Sequence, residues 1–328
     1  MEQKMIILAR NLSKTFRVKE KSKGLRGSLL SIIKPSYKEI KAVEDINFNI
    51  AEGEIIAFIG PNGAGKSTTI KMLTGILYPS AGEALVEDIN PCKKRKQLAY
   101  KIGTVFGQKQ QLWTHLTPYD NFKFFGAVYD IAEEEVENRI EELKSTFELS
   151  EFINTPVRNL SLGQRIRCEI VASLIHKPKI LFLDEPTIGL DPVVKENIRT
   201  LIKKMNKEYG MTVFLTSHDI GDIEKLCKRI IIVNHGKIVL DDSMEKVKYH
   251  YLDKKIIEIK MKDEITLPRM EGVRVLKSKG VNLKLEVDTK VITIQEVLKW
   301  LDTDNLMDIT ISNIPLEDII TQIYKEKS

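Results

Sequence analysis

From residue 4 to about 240, short apolar runs alternate with amphipathic stretches of helical period, which predicts strands covered by helices in an α/β arrangement. Residues 54–59 read as a buried strand that stops at Gly60. Segments 179–183 and 211–216 are further buried strands, each preceded by a helix, and 230–233 with 237–240 form a closing hairpin through Asn234-His235-Gly236. Thr117-Pro118 marks a helix start, with Thr as N-cap and Pro at the first helical position. Asp130 with Glu133 reads as a capping box, after which Val136, Ile140, Leu143 and Phe147 line one helical face and the intervening acids a solvated one.

Around residues 241–255 the pattern changes and a smaller unit begins. Val281, Leu283, Leu285 and Val287 alternate with polar residues, as in a strand with one wet face. Thr293 with Glu296 caps a helix carrying Ile294, Val297, Leu298 and Leu301, and a strand over 306–312 and a helix from Pro315 follow. The order β-β-β-α-β-α predicts a small α+β domain over 245–328 behind a first domain over 4–240. A chain of 328 residues fits two domains at about 150 residues each.

At 42% hydrophobic and 30% charged, the chain has material for sizeable cores. No stretch approaches the roughly 18 consecutive apolar residues of a membrane span, and the start MEQKMIILAR lacks the apolar segment and cleavage site of a secretory signal. Cys92, Cys168 and Cys227 are odd in number, far apart and in no CxxC pair, which fits reduced thiols serving as small core hydrophobes. Of the net charge of +5, the segment 17–41 alone supplies +6, so no general nucleic-acid-binding surface is indicated. That segment also carries Leu25, Leu29, Leu30, Ile32 and Ile33, and reads either as a basic amphipathic element suited to anionic lipid or a membrane partner, or as a solvated loop. The run Lys93-Lys94-Arg95-Lys96 reads as the polar face of a helix.

The chemistry concentrates at strand ends. Gly60-Pro61-Asn62-Gly63-Ala64-Gly65-Lys66-Ser67 fits G-x-x-x-x-G-K-[ST] between a buried strand and an apolar helix, the context that turns the string into a phosphate loop. Its glycines let successive backbone N–H groups turn inward at a helix N-terminus; Lys66 would neutralise β- and γ-phosphate oxygens and Ser67 would ligate Mg²⁺. Four apolar residues, 180–183, deliver Asp184 and Glu185 to another strand end, where one carboxylate can hold Mg²⁺ and its neighbour can orient or deprotonate water. His218 follows a further buried strand, so a parallel sheet aims it at the same edge, within reach of a γ-phosphate. Leu160-Ser161-Leu162-Gly163-Gln164 enters a helix and makes a second anion site that the first does not need, which makes sense if a second copy of the chain supplies half of each nucleotide site.

These residues resemble the ATP-binding subunits of ABC transporters. GPNGAGKST looks like Walker A, VFGQ the Q-loop, LSLGQ the signature, ILFLDE Walker B, GLD the D-loop and TSHD the H-loop, all in order over roughly residues 4–240. The resemblance implies a P-loop cassette with a parallel-sheet core, an antiparallel β part and a helical subdomain over about 110–170. It implies ATP held between two cassettes. Gly60, Pro61, Asn62, Gly63, Ala64, Gly65, Lys66, Ser67 and Thr68 would bind phosphates, with Ser67, Gln108 and Asp184 on Mg²⁺. Glu185 would polarise water, His218 would hold the γ-phosphate, and Gln108 would meet both metal and permease. Ser161, Gly163 and Gln164 would close on the partner's nucleotide, and Asp191 would communicate across the dimer. Phe16 falls where an aromatic stacks on adenine, or else is a core Phe near a strand end.

Leu162 stands where the commoner signature has Gly, and the basic segment 17–41 is an insertion. The wording VFGQKQQLW and LSLGQRIRCEI, with the C-terminal appendage, looks most like the ABC-2 export branch; polysaccharide exporters share an insertion-like N-terminus. The implied partners are a second ATP-binding subunit and an integral membrane permease at the cytoplasmic face of the membrane, with the 109–115 segment as contact. Trp113 is there an apolar anchor or a core residue of the helical subdomain. Two other readings are a nucleic-acid or ribosome clamp, against which one phosphate loop and the lack of a long heptad array speak, and a ligand-sensing role for the appendage.

Overall fold

The computed structural model describes residues 4–19, 37–107, 109–250, 253–263, 270–301 and 304–326. The chain divides into two compact units, Met1–Asp241 and Asp242–Ser328. The amphipathic reading of Leu25, Leu29, Leu30, Ile32 and Ile33 lies outside the described residues; the flanks of that basic segment are the ends of two paired strands, β1 (Met5–Lys19) and β2 (Tyr37–Ala51). With β4 (Ala81–Val86) these make an antiparallel sheet in the order β2-β1-β4.

The second sheet of the first unit has six strands in the order β5-β6-β7-β3-β8-β9, formed by β3 (Ile55–Ile59), β5 (Ile102–Phe106), β6 (Ile180–Asp184), β7 (Thr212–Thr216), β8 (Arg229–Asn234) and β9 (Lys237–Ser243). The first five run parallel. Their unbroken apolar sequence is what burial on both faces demands, since helices cover a parallel sheet on each side. Phe48 from β2 meets Phe58 of β3 at a ring separation of 5.7 Å and Phe214 of β7 at 6.4 Å, so the two sheets share one core. Truncating such a buried ring costs about 3–5 kcal/mol.

The helices of this unit are α1 (Lys66–Leu73), α2 (Arg95–Ala99), α3 (Pro118–Val128), α4 (Glu133–Thr146), α5 (Leu162–Leu174), α6 (Pro192–Tyr209) and α7 (Ile220–Leu226). Thr117 caps α3 as its sequence predicts, accepting from the Asp120 N–H, with Pro118 in the first turn. The apolar face of α4 is buried at Val136, Ile140 and Leu143, and Phe147 caps its end. The expected box at Asp130 is wrong: Asp130 sits at φ 54°, α4 starts after Ala132 with no side-chain cap, and the Asp130 carboxylate instead accepts from the Tyr100 hydroxyl at 3.2 Å. A residue in the left-handed region ends the preceding helix, and that turn leaves Asp130 too far back to cap the next one. Of the run 93–96, only Arg95 and Lys96 lie in α2; Lys93 and Lys94 form the exposed turn before it. Cys168 and Cys227 are buried and Cys92 half-buried, all free; burial pushes the Cys168 thiol up to about 12, so it is inert.

The second unit is built from α8 (Met244–His250), β10 (Lys254–Met261), β11 (Val273–Lys279), β12 (Asn282–Asp288), α9 (Ile294–Lys299), β13 (Leu306–Asn313) and α10 (Leu316–Glu326). Its antiparallel sheet runs β11-β12-β10-β13, and Ile257, Ile259, Met261, Leu283, Leu285 and Val287 pack with Val297 and Leu301. The Thr293–Glu296 capping box starts α9 as the sequence predicts. Among the described residues no helix is long and apolar enough to cross a membrane.

Candidate functional site

Three neighbouring strands of the six-stranded sheet, β6, β7 and β3, end at one edge. Because they are parallel, the residues after them must converge there. The loop after β3 enters α1 through Gly65, at φ 107°, where a Cβ would lie 2.5 Å from the Ala42 carbonyl oxygen; only glycine fits both demands. No side chain caps the start of α1, so the first N–H groups, which the helical ladder leaves over, are available for an anion. Pro61, Asn62 and Gly63 are exposed, Gly60 and Ala64 are buried, and Ser67 and Thr68 are half-buried on the first turn.

Lys66 folds back into this loop. Its ammonium donates to the Gly60 carbonyl at 2.7 Å and the Pro61 carbonyl at 3.2 Å. Burial lowers its pKa, an effect that the charges of Glu185 and Asp184 partly offset. The next strand, β7, delivers His218, whose Nε2 lies 2.7 Å from Glu185 Oε1 and 3.3 Å from Lys66 Nζ. A ring nitrogen donates or accepts but not both, so an Nε2–H directed at the nearer carboxylate leaves no lone pair there for Lys66. Lysine and histidine thus converge as two donors beside one carboxylate.

Glu185 follows β6 at φ 56°, a conformation of low population for a non-glycine residue. What holds it is Thr216, which closes β7: the Glu185 N–H donates to the Thr216 carbonyl at 3.0 Å and to its hydroxyl at 3.2 Å. The same hydroxyl donates to Asp184 Oδ1 at 2.6 Å, so one fully buried side chain orients both acids. Thr216 carries no role in the sequence motifs beyond opening TSHD, although a hydroxyl closing the apolar run Val213-Phe214-Leu215 is a visible signal. Gln108 lies outside the described residues. The residue before it, Gly107, donates its N–H to the Asp184 carbonyl at 2.9 Å.

The second predicted anion site is a separate helix start. Ser161 is the N-cap of α5; its hydroxyl accepts from the Gln164 N–H at 3.2 Å, and its own N–H donates to the Gln164 side chain at 2.9 Å. Gly163 is buried between them. Asp191 is exposed and caps α6, accepting from the Val193 and Val194 N–H groups at 3.0 Å each. Phe16 is on β1 opposite Ile40 and is 37% exposed, with the Lys14 ammonium 5.3 Å from its ring, so it is no core residue. Trp113 is 60% exposed and meets the half-open Phe124 ring edge-on at 5.7 Å, which places an apolar patch on the surface of the helical region.

The structure therefore brings Lys66, Asp184, Glu185 and His218 to one place, where a cation, an anion nest and two carboxylates can hold a polyphosphate with a divalent ion and activate water. Ser67 and Asp184 have the oxygen donors that Mg²⁺ takes.

A family model described as ABC transporter matches residues 43–188. The chain is 32% identical over 210 residues to the ABC transporter ATP-binding protein NatA of Bacillus subtilis (strain 168), covering 64% of this chain and 85% of that protein. It is 32% identical over 231 residues to the bacitracin transport ATP-binding protein BcrA of Bacillus licheniformis, covering 70% and 72% respectively. Among solved structures, the dimeric post-hydrolysis state of the ATP-binding cassette MJ0796, bound to ADP and Pi, superposes with a TM-score of 0.61 at 29% identity, covering 73% of this chain and 98% of that one.

Proposed function

The chain belongs to the ATP-binding subunits of ABC transporters, cassettes that bind and hydrolyse ATP to power transport, and from that premise we propose that it drives an exporter permease with Glu185 as the water-activating residue. In this reading the loop 60–68 cradles the triphosphate, Lys66 leaves the Gly60 and Pro61 carbonyls for the β- and γ-phosphates, and Ser67, Asp184 and Gln108 would hold Mg²⁺. The ion would neutralise phosphate oxygens; the rest is done by the chain's own groups. Glu185 takes a proton from the attacking water, and His218 hydrogen-bonds the γ-phosphate. Ser161, Gly163 and Gln164 of one cassette close on the nucleotide of the other, Asp191 lies along the join, and Phe16 stacks on adenine. The observation that carries this reading is the 2.7 Å approach of His218 to Glu185 beside Lys66, three groups from three strand ends at one edge.

Export as the direction is supported by the likeness to a bacitracin transport protein and by the wording of the signature and Q-loop segments. The exposed Trp113–Phe124 pair, with Trp113 five positions after Gln108 in sequence, is the proposed permease contact, which sets the chain at the cytoplasmic face of a membrane. A change of contact there between the open and closed dimer is what would couple hydrolysis to the permease. Glu185→Gln tests the core of the proposal: hydrolysis should fall by about 10²–10⁴-fold while ATP still binds and the dimer persists on a sizing column. Wild-type turnover by that variant refutes the assignment. Purification from detergent-solubilised membranes should bring down a multi-span protein; RNA or ribosomal protein in its place would favour the clamp.

A further inference from the structure

We propose that Asp222, which belongs to none of the six motifs, is a positioning residue for hydrolysis: its buried carboxylate ties the segment after Glu185 to the segment before His218 and so fixes the two groups relative to each other. The proposal rests on the assignment of Glu185 and His218 made above.

Asp222 lies on α7 with no exposed surface. One carboxylate oxygen accepts from Arg199 Nε of α6 at 2.6 Å. The other accepts from two hydroxyls, Ser217 at 2.9 Å and Thr187. Both of these are buried, and each is next to the chemistry: Thr187 is two residues after Glu185, and Ser217 is the residue before His218. The Glu185–His218 contact completes a ring that runs Glu185, Pro186, Thr187, Asp222, Ser217, His218 and back. The opposite side of the same segment is stitched by the bonds from the Glu185 N–H to Thr216. Residues 185–187 are therefore pinned at both ends to the chain that carries the histidine.

The neighbouring acid reinforces the ring. Asp219 accepts from Lys195 at 2.5 Å and from Arg199 Nη2 at 3.3 Å. Burial would raise the Asp219 pKa, but these two cations outweigh it and hold the carboxyl below its ordinary value. Lys195 and Arg199 sit on α6, the helix that Asp191 caps, so the element at the proposed dimer join grips the histidine segment by two acids. Desolvating a carboxylate and a guanidinium is expensive, and apolar replacements often match such a pair in stability. Geometry is what an apolar replacement would not reproduce: a carboxylate with three directed acceptor contacts fixes three segments at once.

The test uses the full chain. Thr187→Val removes the hydroxyl without changing shape, Thr187→Ser keeps it, and Asp222→Asn removes the charge. Thr187→Val should lower kcat by about ten- to a hundredfold with KM for ATP within about twofold, and Thr187→Ser should restore the rate. Adding Asp222→Asn to Thr187→Val should cost no more than Asp222→Asn alone, because both break one ring. In histidine-labelled protein, the His218 ring resonances should move in Thr187→Val and stay in Thr187→Ser. Full kcat in a folded Thr187→Val variant, or a change that appears only in melting temperature, overturns the proposal even if Asp222→Asn fails to fold. If Glu185→Gln is inactive while Thr187→Val is fully active, the ring alone is refuted; if Glu185→Gln turns over normally, the site assignment beneath it is.

Discussion

A methyl group at Gly107 should impair hydrolysis more than it impairs folding. A Cβ on Gly107 would lie 2.3 Å from the Glu185 carbonyl oxygen, 3.0 Å from the Glu185 carbonyl carbon and 3.1 Å from the Asp184 oxygen. Ordinary contact starts at 3.4 Å, so the ends of β5 and β6 must part by about 1 Å, and the three nearest obstructing atoms are all backbone, which cannot rotate away. Overpacking of this kind costs about 1–3 kcal/mol, within the 5–15 kcal/mol that a folded domain commands, so Gly107→Ala should fold with a lowered melting temperature. The displacement falls on the Glu185 peptide and on the segment entering Gln108. Moving a reacting group by about 1 Å can slow catalysis by about a hundredfold, or about 2.7 kcal/mol of barrier. Steady-state phosphate release at saturating ATP, with nucleotide binding measured in parallel, reads this directly. A folded Gly107→Ala variant that hydrolyses within about threefold of wild type refutes the claim that backbone contact at this point sets the position of Glu185.

Two further predictions concern stability. Burial raises the Glu169 carboxyl from 4.5 to about 7, the Gln111 N–H partly opposing it, so the folded chain binds this proton more tightly than the unfolded one. That stabilisation is complete below about pH 4.5 and is lost as pH rises through about 7; Glu169→Gln should therefore gain up to about 3 kcal/mol at pH 8 and little at pH 5, and equal gains at both values in denaturant titrations would contradict it. Thr293→Ala removes the cap of α9 and should destabilise the C-terminal unit by about 1 kcal/mol. Trp300 ends that helix and reports its unfolding in urea once Trp113 is replaced by Phe; an unmoved midpoint would count against the cap's role.

Local patterns were legible wherever the chemistry is local. The strand–glycine–helix grammar around Gly60–Lys66 requires only neighbours in sequence, and so do the caps at Thr117 and Thr293. Residues drawn together from far apart were not. The bond from Thr187 to Asp222 spans 35 positions, and that from Thr216 to Asp184 spans 32, so no window of sequence contains either pair. Asp130 failed for a different reason: the spacing of a capping box was present, but the backbone had already turned left-handed to end α3. Trp113, read equally well as core or surface, was settled by its 60% exposure, because an apolar residue in a short segment does not announce which way it faces.

The hold of Lys66 on the Gly60 and Pro61 carbonyls bears on how a spent nucleotide would leave in the proposed cycle. A cation stripped of its counter-anion inside a dry crevice would resist that departure, since an unpaired buried charge is among the costliest things a protein can contain. Here the ammonium has a resting berth of its own, two oxygens away from water and already in place. In the proposed cycle, binding and release of a phosphate would exchange one set of oxygens around the ammonium for another, and the neighbouring carboxylates of Glu185 and Asp184 supply the opposing charge that two neutral carbonyls lack.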